Sequence, residues 1–168
     1  GADSSVAMDH NTFVSSNATN AVAIGSGSKA MGESAIALGH GSEASGKQSI
    51  SIGTGNKVTG NHSGAIGDPN TVSGNASYAL GNNNTISADK SFVVGNNVSI
   101  DAKASDMAAS NGASFNGSVA LGNGSTVSAP VGTASTTIQG TKYDFAGSKP
   151  VGTVSVGSAG GERTVTNV

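Results

Sequence analysis

A five-residue pattern of small, aliphatic, small, aliphatic and glycine residues recurs seven times along the chain. It reads Ala21-Val22-Ala23-Ile24-Gly25, Ala35-Ile36-Ala37-Leu38-Gly39, Ser49-Ile50-Ser51-Ile52-Gly53, Ser63-Gly64-Ala65-Ile66-Gly67, Ser77-Tyr78-Ala79-Leu80-Gly81, Ser91-Phe92-Val93-Val94-Gly95 and Ser118-Val119-Ala120-Leu121-Gly122. The first six follow one another at a 14-residue spacing. A fixed period with fixed chemistry in each column is the signature of stacked repeats, in which each unit buries its apolar residues only against its neighbours.

Positions in the unit are numbered 1 to 14 from Ala21. Position 4 is aliphatic throughout (Ile24, Leu38, Ile52, Ile66, Leu80, Val94, Leu121) and position 5 is glycine (Gly25, Gly39, Gly53, Gly67, Gly81, Gly95, Gly122). Positions 1 and 3 are small, with Val93 the one larger exception, and position 2 is mostly apolar, so the pentad reads as a strand with one bulky and one small face, both expected to be buried. A second strand is expected around position 10 (Ala30, Ala44, Val58, Val72, Ile86, Ile100, Val127), with polar neighbours at positions 9, 11 and 13 facing water. The Gly-Ser-Gly and Gly-Asn-Asn segments between the strands are corner chemistry, because Gly and Asn enter left-handed backbone conformations at least cost. Two strands and two corners in 14 residues make one coil of a narrow parallel β-solenoid. Stacking then places Lys29, Glu43 and Lys57 in one ladder of alternating sign, and Glu33 beside Lys47. Exposed pairs of this kind mark register and contribute about 0–1 kcal/mol each.

Departures from the period are informative. Ser5-Val6-Ala7-Met8-Asp9 fits the pentad with Asp9 in place of glycine, and Val14 falls at position 10 of a first coil two residues too long. Residues 105–117 are about one coil long without a good pentad, a degenerate coil or a loop whose interior Met107, Ala109 and Phe115 could fill. The next start after Ser118 is Thr153-Val154-Ser155-Val156-Gly157, 35 residues on, which equals two coils plus seven residues or, more simply, one coil plus a 21-residue insertion. The expected organisation is a β-roll over 1–131, an insert over 132–152, and a last coil with the beginning of a further element over 153–168.

Composition agrees. Only 4% of residues are aromatic and there is no Trp, too little bulk for a layered globular core, yet the 35% hydrophobic content is too ordered for a linker. A net charge of −2 with 11% charged residues offers no basic surface for nucleic acid. The absence of cysteine removes disulfide and thiolate chemistry and is compatible with export. No apolar run approaches the ~20 residues that span a bilayer and no signal-peptide pattern opens the chain, so targeting and anchoring parts are expected elsewhere.

Catalytic, metal and cofactor chemistry find no constellation. His10, His40 and His62 fall at different coil positions without ligand-spaced partners, so no metal site is assigned. Glu33 and Glu43 read as ladder members, Asp9 and Asp68 have no partner acid, and the Gly-Ser-Gly segment opens no helix. No catalytic residue and no cofactor are therefore expected. Asn17-Ala18-Thr19, Asn61-His62-Ser63, Asn75-Ala76-Ser77, Asn97-Val98-Ser99 and Asn116-Gly117-Ser118 match glycosylation sequons and read as coincidence in an Asn- and Ser-rich chain. An ice-binding face needs a regular threonine column, which Thr54, Thr59, Thr71 and Thr85 are not expected to form. Tyr143 and Phe145 stand out in an aromatic-poor chain, and are expected to pin the insert to the roll or to a neighbouring subunit. With Lys29, Glu43 and Lys57 they are the candidate ligand contacts.

The apolar stripe of the pentads would be an aggregation surface unless it self-associates, so an oligomer is expected to be part of the fold. The pentads, with Ser28-Lys29-Ala30-Met31-Gly32 and Ser42-Glu43-Ala44-Ser45-Gly46, resemble the head repeat of the trimeric autotransporter adhesins, typified by the Yersinia adhesin. Gly161-Glu162-Arg163-Thr164-Val165-Thr166-Asn167-Val168 resembles that family's neck, and Thr141-Lys142-Tyr143-Asp144-Phe145-Ala146-Gly147 with Pro150-Val151-Gly152 resembles its head insert. The resemblance implies a left-handed parallel β-roll, a homotrimer packed through the pentad strands, and display on a bacterial surface by a C-terminal outer-membrane barrel. Ile24, Leu38, Ile52, Ile66, Leu80, Val94, Leu121 and Val156 become the core and trimer strand, and Gly25 through Gly122 with Gly157 the corner glycines. It implies attachment to extracellular-matrix proteins such as collagen, fibronectin or laminin, to cell-surface receptors or glycans, or to other adhesin heads. A spacer that projects another domain is the alternative.

Overall fold

The computed structural model describes residues 2–101 and 114–168. The pentads form strands β1 (Val6–Met8), β3 (Val22–Ile24), β5 (Ile36–Leu38), β7 (Ile50–Gly53), β9 (Gly64–Gly67), β11 (Tyr78–Gly81), β13 (Phe92–Val94), β15 (Val119–Leu121) and β18 (Val154–Ser155), stacked in that order in one parallel sheet of nine. A second parallel sheet of seven holds β2 (Phe13–Val14), β4 (Lys29–Ala30), β6 (Glu43–Ala44), β8 (Lys57–Val58), β10 (Asn70–Val72), β12 (Asn84–Ile86) and β14 (Ser99–Ile100). The first seven coils each contribute one short strand to each sheet and the last two, with β15 and β18, only to the first, so no strand forms at Val127 where one was expected and the roll is a parallel β-solenoid.

Register follows the sequence period. Val22 pairs with Ile36, Ile36 with Ile50, Ile50 with Gly64, and so on to Phe92. The first coil is long, as expected: Val6 pairs with Val22 and Phe13 with Lys29. Phe92 then pairs directly with Val119, and Val119 with Val154, so the stack runs on across both irregular stretches. Of the segment expected to be a degenerate coil or loop, residues 105–113, including Met107 and Ala109, lie outside the described residues. Phe115 packs against the core, and the Gly117 amide donates to Asp89 O at 2.9 Å.

The small face of the pentad points inward. Ala23, Ala37, Ser51, Ala65, Ala79, Val93 and Ala120 are buried and face the position-10 residues Ala30, Ala44, Val58, Val72, Ile86 and Ile100, also buried. The interior residues become larger along the roll as alanine gives way to valine and isoleucine, and the buried residues form two clusters, one over residues 18–44 and one over 58–120. Small residues opposite larger ones let two sheets approach closely while filling the space between them. The bulky face points outward: Leu38, Ile66, Tyr78, Leu80, Phe92, Val94 and Leu121 remain exposed in the single chain.

The corner glycine has a double cause. Gly53 sits at φ +118°, which side-chain-bearing residues rarely adopt, and a Cβ on it would overlap the carbonyl oxygen of Gly67 in the next coil. Asp9 holds the equivalent place in the first coil at φ 99°. The other corner tolerates side chains: Ser34, Gln48, His62, Ala76 and Lys90 at position 14 all lie near φ +55° (56°, 54°, 56°, 53° and 55°).

Beyond the roll, β16 (Ser135–Ile138) and β17 (Thr141–Asp144) form an antiparallel hairpin closed by Gln139 and Gly140, both at positive φ (48° and 82°). Such a two-residue loop matches the twist of its strands.

Candidate binding surfaces

Three surfaces carry the sequence candidates. On the outward side of the nine-stranded sheet, the position-2 and position-4 side chains build one continuous apolar stripe. Ile66 is 47% exposed, Val94 41% and Leu38 40%, with Phe92 and Tyr78 beside them. Ile24, Ile52 and Val156 stand in the same column, half-buried. These side chains do not line the interior of their own roll.

On the opposite side, the seven-stranded sheet is polar. Lys29, Glu43 and Lys57 stack in register, and the Lys57 ammonium lies 3.8 Å from the Glu43 carboxylate. Lys47 and Glu33 pair at 2.9 Å on the corner. The Lys47–Glu33 pair is open to solvent and adds little stability, whereas Glu43 is partly covered and its contact with Lys57 is long. The ladder continues as Thr71, Thr85 and Ser99, because Thr71 pairs with Thr85 and Thr85 with Ser99. Thr71 and Thr85 are one period apart and stack. Two threonines between Lys57 and Ser99 are still not the extended column that an ice-binding face needs.

The interior holds polar columns that the strand pattern did not reveal. Asn56, Asn70 and Asn84 occupy position 8 and are buried. Asn70 donates from its backbone N–H and from Nδ2 to Asn56 Oδ1 (2.7 and 3.0 Å), and Asn84 repeats the arrangement on Asn70 (3.1 and 2.9 Å). The second Nδ2 hydrogen of each reaches the corner carbonyl of the next coil: Gly67 O from Asn56, Gly81 O from Asn70 and Gly95 O from Asn84. At position 1, Ser63 and Ser77 donate to Gly74 O (2.7 Å) and Ala88 O (2.8 Å), and their hydroxyl oxygens accept the Ser77 and Ser91 amides. Nearer the N-terminus position 8 is serine, and Ser28 Oγ is buried without a hydrogen-bond partner.

These columns also explain the sequons at Asn61 and Asn75. Asn61 Oδ1 accepts the Lys47 amide and Asn75 Oδ1 the Asn61 amide, while Ser63 and Ser77 are fully buried. Corner geometry asks for Asn at position 13 and Ser at position 1, and the sequon follows.

The third surface is the C-terminal end. The hairpin of the insert is exposed on both faces, with Tyr143 50% and Phe145 46% accessible and Lys142 paired to Asp144 at 2.7 Å. An open cleft of about 530 Å³ lies between the last coil and the segment after it, lined by Thr126, Thr153, Ser155, Ser158, Glu162 and Arg163. The Glu162 carboxyl is held below its usual pKa by backbone N–H donors, its own and that of Gly160. Among the described residues no three His, Asp or Glu side chains gather in a metal-binding group. His10, His40 and His62 are exposed.

Comparison with known proteins places the repeat. The YadA head domain repeat matches twice, over residues 16–42 and 44–68. Over 38 residues, 23% of this chain, the sequence is 66% identical to the autotransporter adhesin BtaE of Brucella suis biovar 1 (strain 1330). The matched stretch is 5% of that protein, so the chain spans a small fraction of the relative's length. Among solved structures, the C-terminal YadA-like domain of BPSL2063 from Burkholderia pseudomallei aligns at 36% identity over 61% of this chain and 34% of that one, with a TM-score of 0.36. Residues 16–42 and 44–68 thus match the YadA head domain repeat, and over this part the chain is similar to the heads of trimeric autotransporter adhesins.

Proposed function

We propose that this chain is the head of a bacterial surface adhesin, a non-enzymatic homotrimer displayed outside the outer membrane. Its outward polar sheets would make attachment contacts. The observation that carries the assembly is the apolar stripe, which includes Ile66, Tyr78, Leu80, Phe92 and Val94, all partly exposed in the single chain. Completing the burial of each is worth roughly 1 kcal/mol, and the repetition multiplies that gain along the roll. Three rolls packed stripe to stripe leave the Lys29, Glu43 and Lys57 ladder and the Thr71, Thr85 and Ser99 column facing outward. Three copies of a weak contact on one rigid axis gain avidity without a deep pocket. Collagen, fibronectin, laminin, cell-surface receptors or glycans, and other heads are the partners this reading proposes, with Tyr143 and Phe145 as further candidate contacts.

The second reading, a spacer that projects another domain, is favoured by one observation. Much of the corner asparagine chemistry is spent internally: Asn61, Asn75, Asn82 and Asn96 each accept a backbone amide from the preceding coil. One experiment separates the two readings. The purified trimer and a stalk-only protein are compared for binding to immobilised matrix proteins, glycans and cells. Saturable binding by the head alone supports the adhesin, and equal binding by both supports the spacer.

A further inference from the structure

We infer that Arg163 is the end cap of the roll: its guanidinium takes the place of the backbone of a coil that is not there. In most coils the position-6 carbonyl accepts the position-7 amide of the next; Pro69 has no such amide, and the Asn83 amide turns to Pro69 O at 2.6 Å. Gly41 N–H reaches Ser26 O (3.0 Å), Gly55 reaches His40 O (2.9 Å), Asn97 reaches Asn82 O (3.1 Å) and Gly124 reaches Asn96 O (2.8 Å). The series ends at Asn123, because the final pentad turns away at Gly157 into a tight Ser158–Gly161 bridge. The donor to Asn123 O is instead Arg163 Nη2, at 2.7 Å.

The same side chain closes two further groups. Arg163 Nη1 donates to Val156 O at 2.8 Å and to Ser125 Oγ at 3.2 Å, and Ser125 passes its own hydrogen to Leu121 O at 2.7 Å. Position also fits. In the glycine column each corner lies against the carbonyl of the next glycine, whereas a Cβ on Gly122 would meet the guanidinium carbon of Arg163 at 2.9 Å. A flat, fixed fork of donors can imitate a strip of peptide in this way, and a lysine ammonium cannot. An uncapped end would leave the Asn123 carbonyl as an open acceptor on a strand-like edge. Arg163 therefore marks where the roll stops and the chain is handed to the next element.

Amide hydrogen exchange on the 168-residue chain tests the cap. The probes are Thr126, whose amide donates to Gly157 O, and Val119, whose amide donates to Thr153 O. Arg163→Ala is expected to accelerate both by about tenfold or more, the loss of charge-assisted hydrogen bonds, while Ile50 and Tyr78 exchange as before. Arg163→Lys is expected to recover less than half of that protection. Unchanged exchange at Thr126 in Arg163→Ala, full recovery by lysine, or acceleration that extends equally to Ile50 would each overturn the assignment. Gly122→Ala supplies an independent check. Its added methyl should accelerate Thr126 strongly beside Arg163 and less in the Arg163→Ala background, and purely additive effects would also overturn the cap.

Discussion

Asn70 and Asn56 are joined by two hydrogen bonds to one oxygen: the backbone N–H and the Nδ2 of Asn70 both donate to Asn56 Oδ1, at 2.7 and 3.0 Å. The pair is buried and one period apart, so the bonds fix register in the interior of the roll and not at its surface. Asn70 also donates to Gly81 O and accepts from Asn84, so its removal leaves partners unmet in the coils on both sides.

Asn70→Ala is therefore expected to destabilise the roll by roughly 2–4 kcal/mol, since buried donors and acceptors are left unmet. Ser28→Ala is the contrasting change, because its buried hydroxyl has no partner to lose. It should be neutral or slightly stabilising. Urea unfolding of the two variants measures the difference, and equal losses would remove the polar columns from the account of stability.

The two corners should respond to substitution in opposite senses. Ala76 sits at φ +53°, a conformation that costs an ordinary residue about 1 kcal/mol and costs Asn less. Ala76→Asn should raise stability by roughly 0.5–1 kcal/mol. Gly53→Ala meets both a forbidden φ and the Gly67 carbonyl, and should cost on the order of 4 kcal/mol or prevent folding. Thermal unfolding followed by circular dichroism ranks the two variants against the parent.

The direction of each face makes a sharper prediction for assembly. Ile52 lies in the outward stripe, whereas Val72 is completely buried inside the roll. Ile52→Asp should leave a folded coil that no longer forms a trimer. Val72→Asp should unfold its own coils, because an isolated charge cannot be accommodated there. Sedimentation velocity with circular dichroism distinguishes the two outcomes, and a normal trimer of Ile52→Asp would reject packing through this stripe.

Much of this was legible in the period. A 14-residue spacing fixes which residues stack, and Val22, Ile36, Ile50 and Gly64 pair in that register. The assignment of the two pentad faces was not legible, since both are apolar and only the width between the sheets decides that Ala37 goes in and Leu38 out. The buried Asn56, Asn70 and Asn84 were hidden by their residue type, which in isolation reads as turn or surface. Their recurrence in one column was the available signal. Arg163 lies 40 residues from Asn123, and no local pattern could connect a side chain to a carbonyl at that separation.

The turn that presents Arg163 should also respond to acid. Glu162 Oε1 accepts the Gly160 amide at 2.9 Å, and backbone donors lower the carboxyl pKa below its ordinary value of 4.5. A depressed folded-state pKa means that the ionised carboxylate stabilises the turn at pH values above the unfolded pKa, and that this contribution is lost as pH falls from about 4.5 through the lower folded value. Acidification should therefore loosen residues 160–163 before the stacked coils. Glu162→Gln should remove the pH dependence, because a carboxamide can still accept the Gly160 hydrogen but does not titrate. A proton-exchange titration of the Gly160 amide between pH 6 and pH 3, roughly the carboxylate range, follows this directly. A Gly160 amide that responds equally in Glu162→Gln would show that the acid sensitivity arises elsewhere.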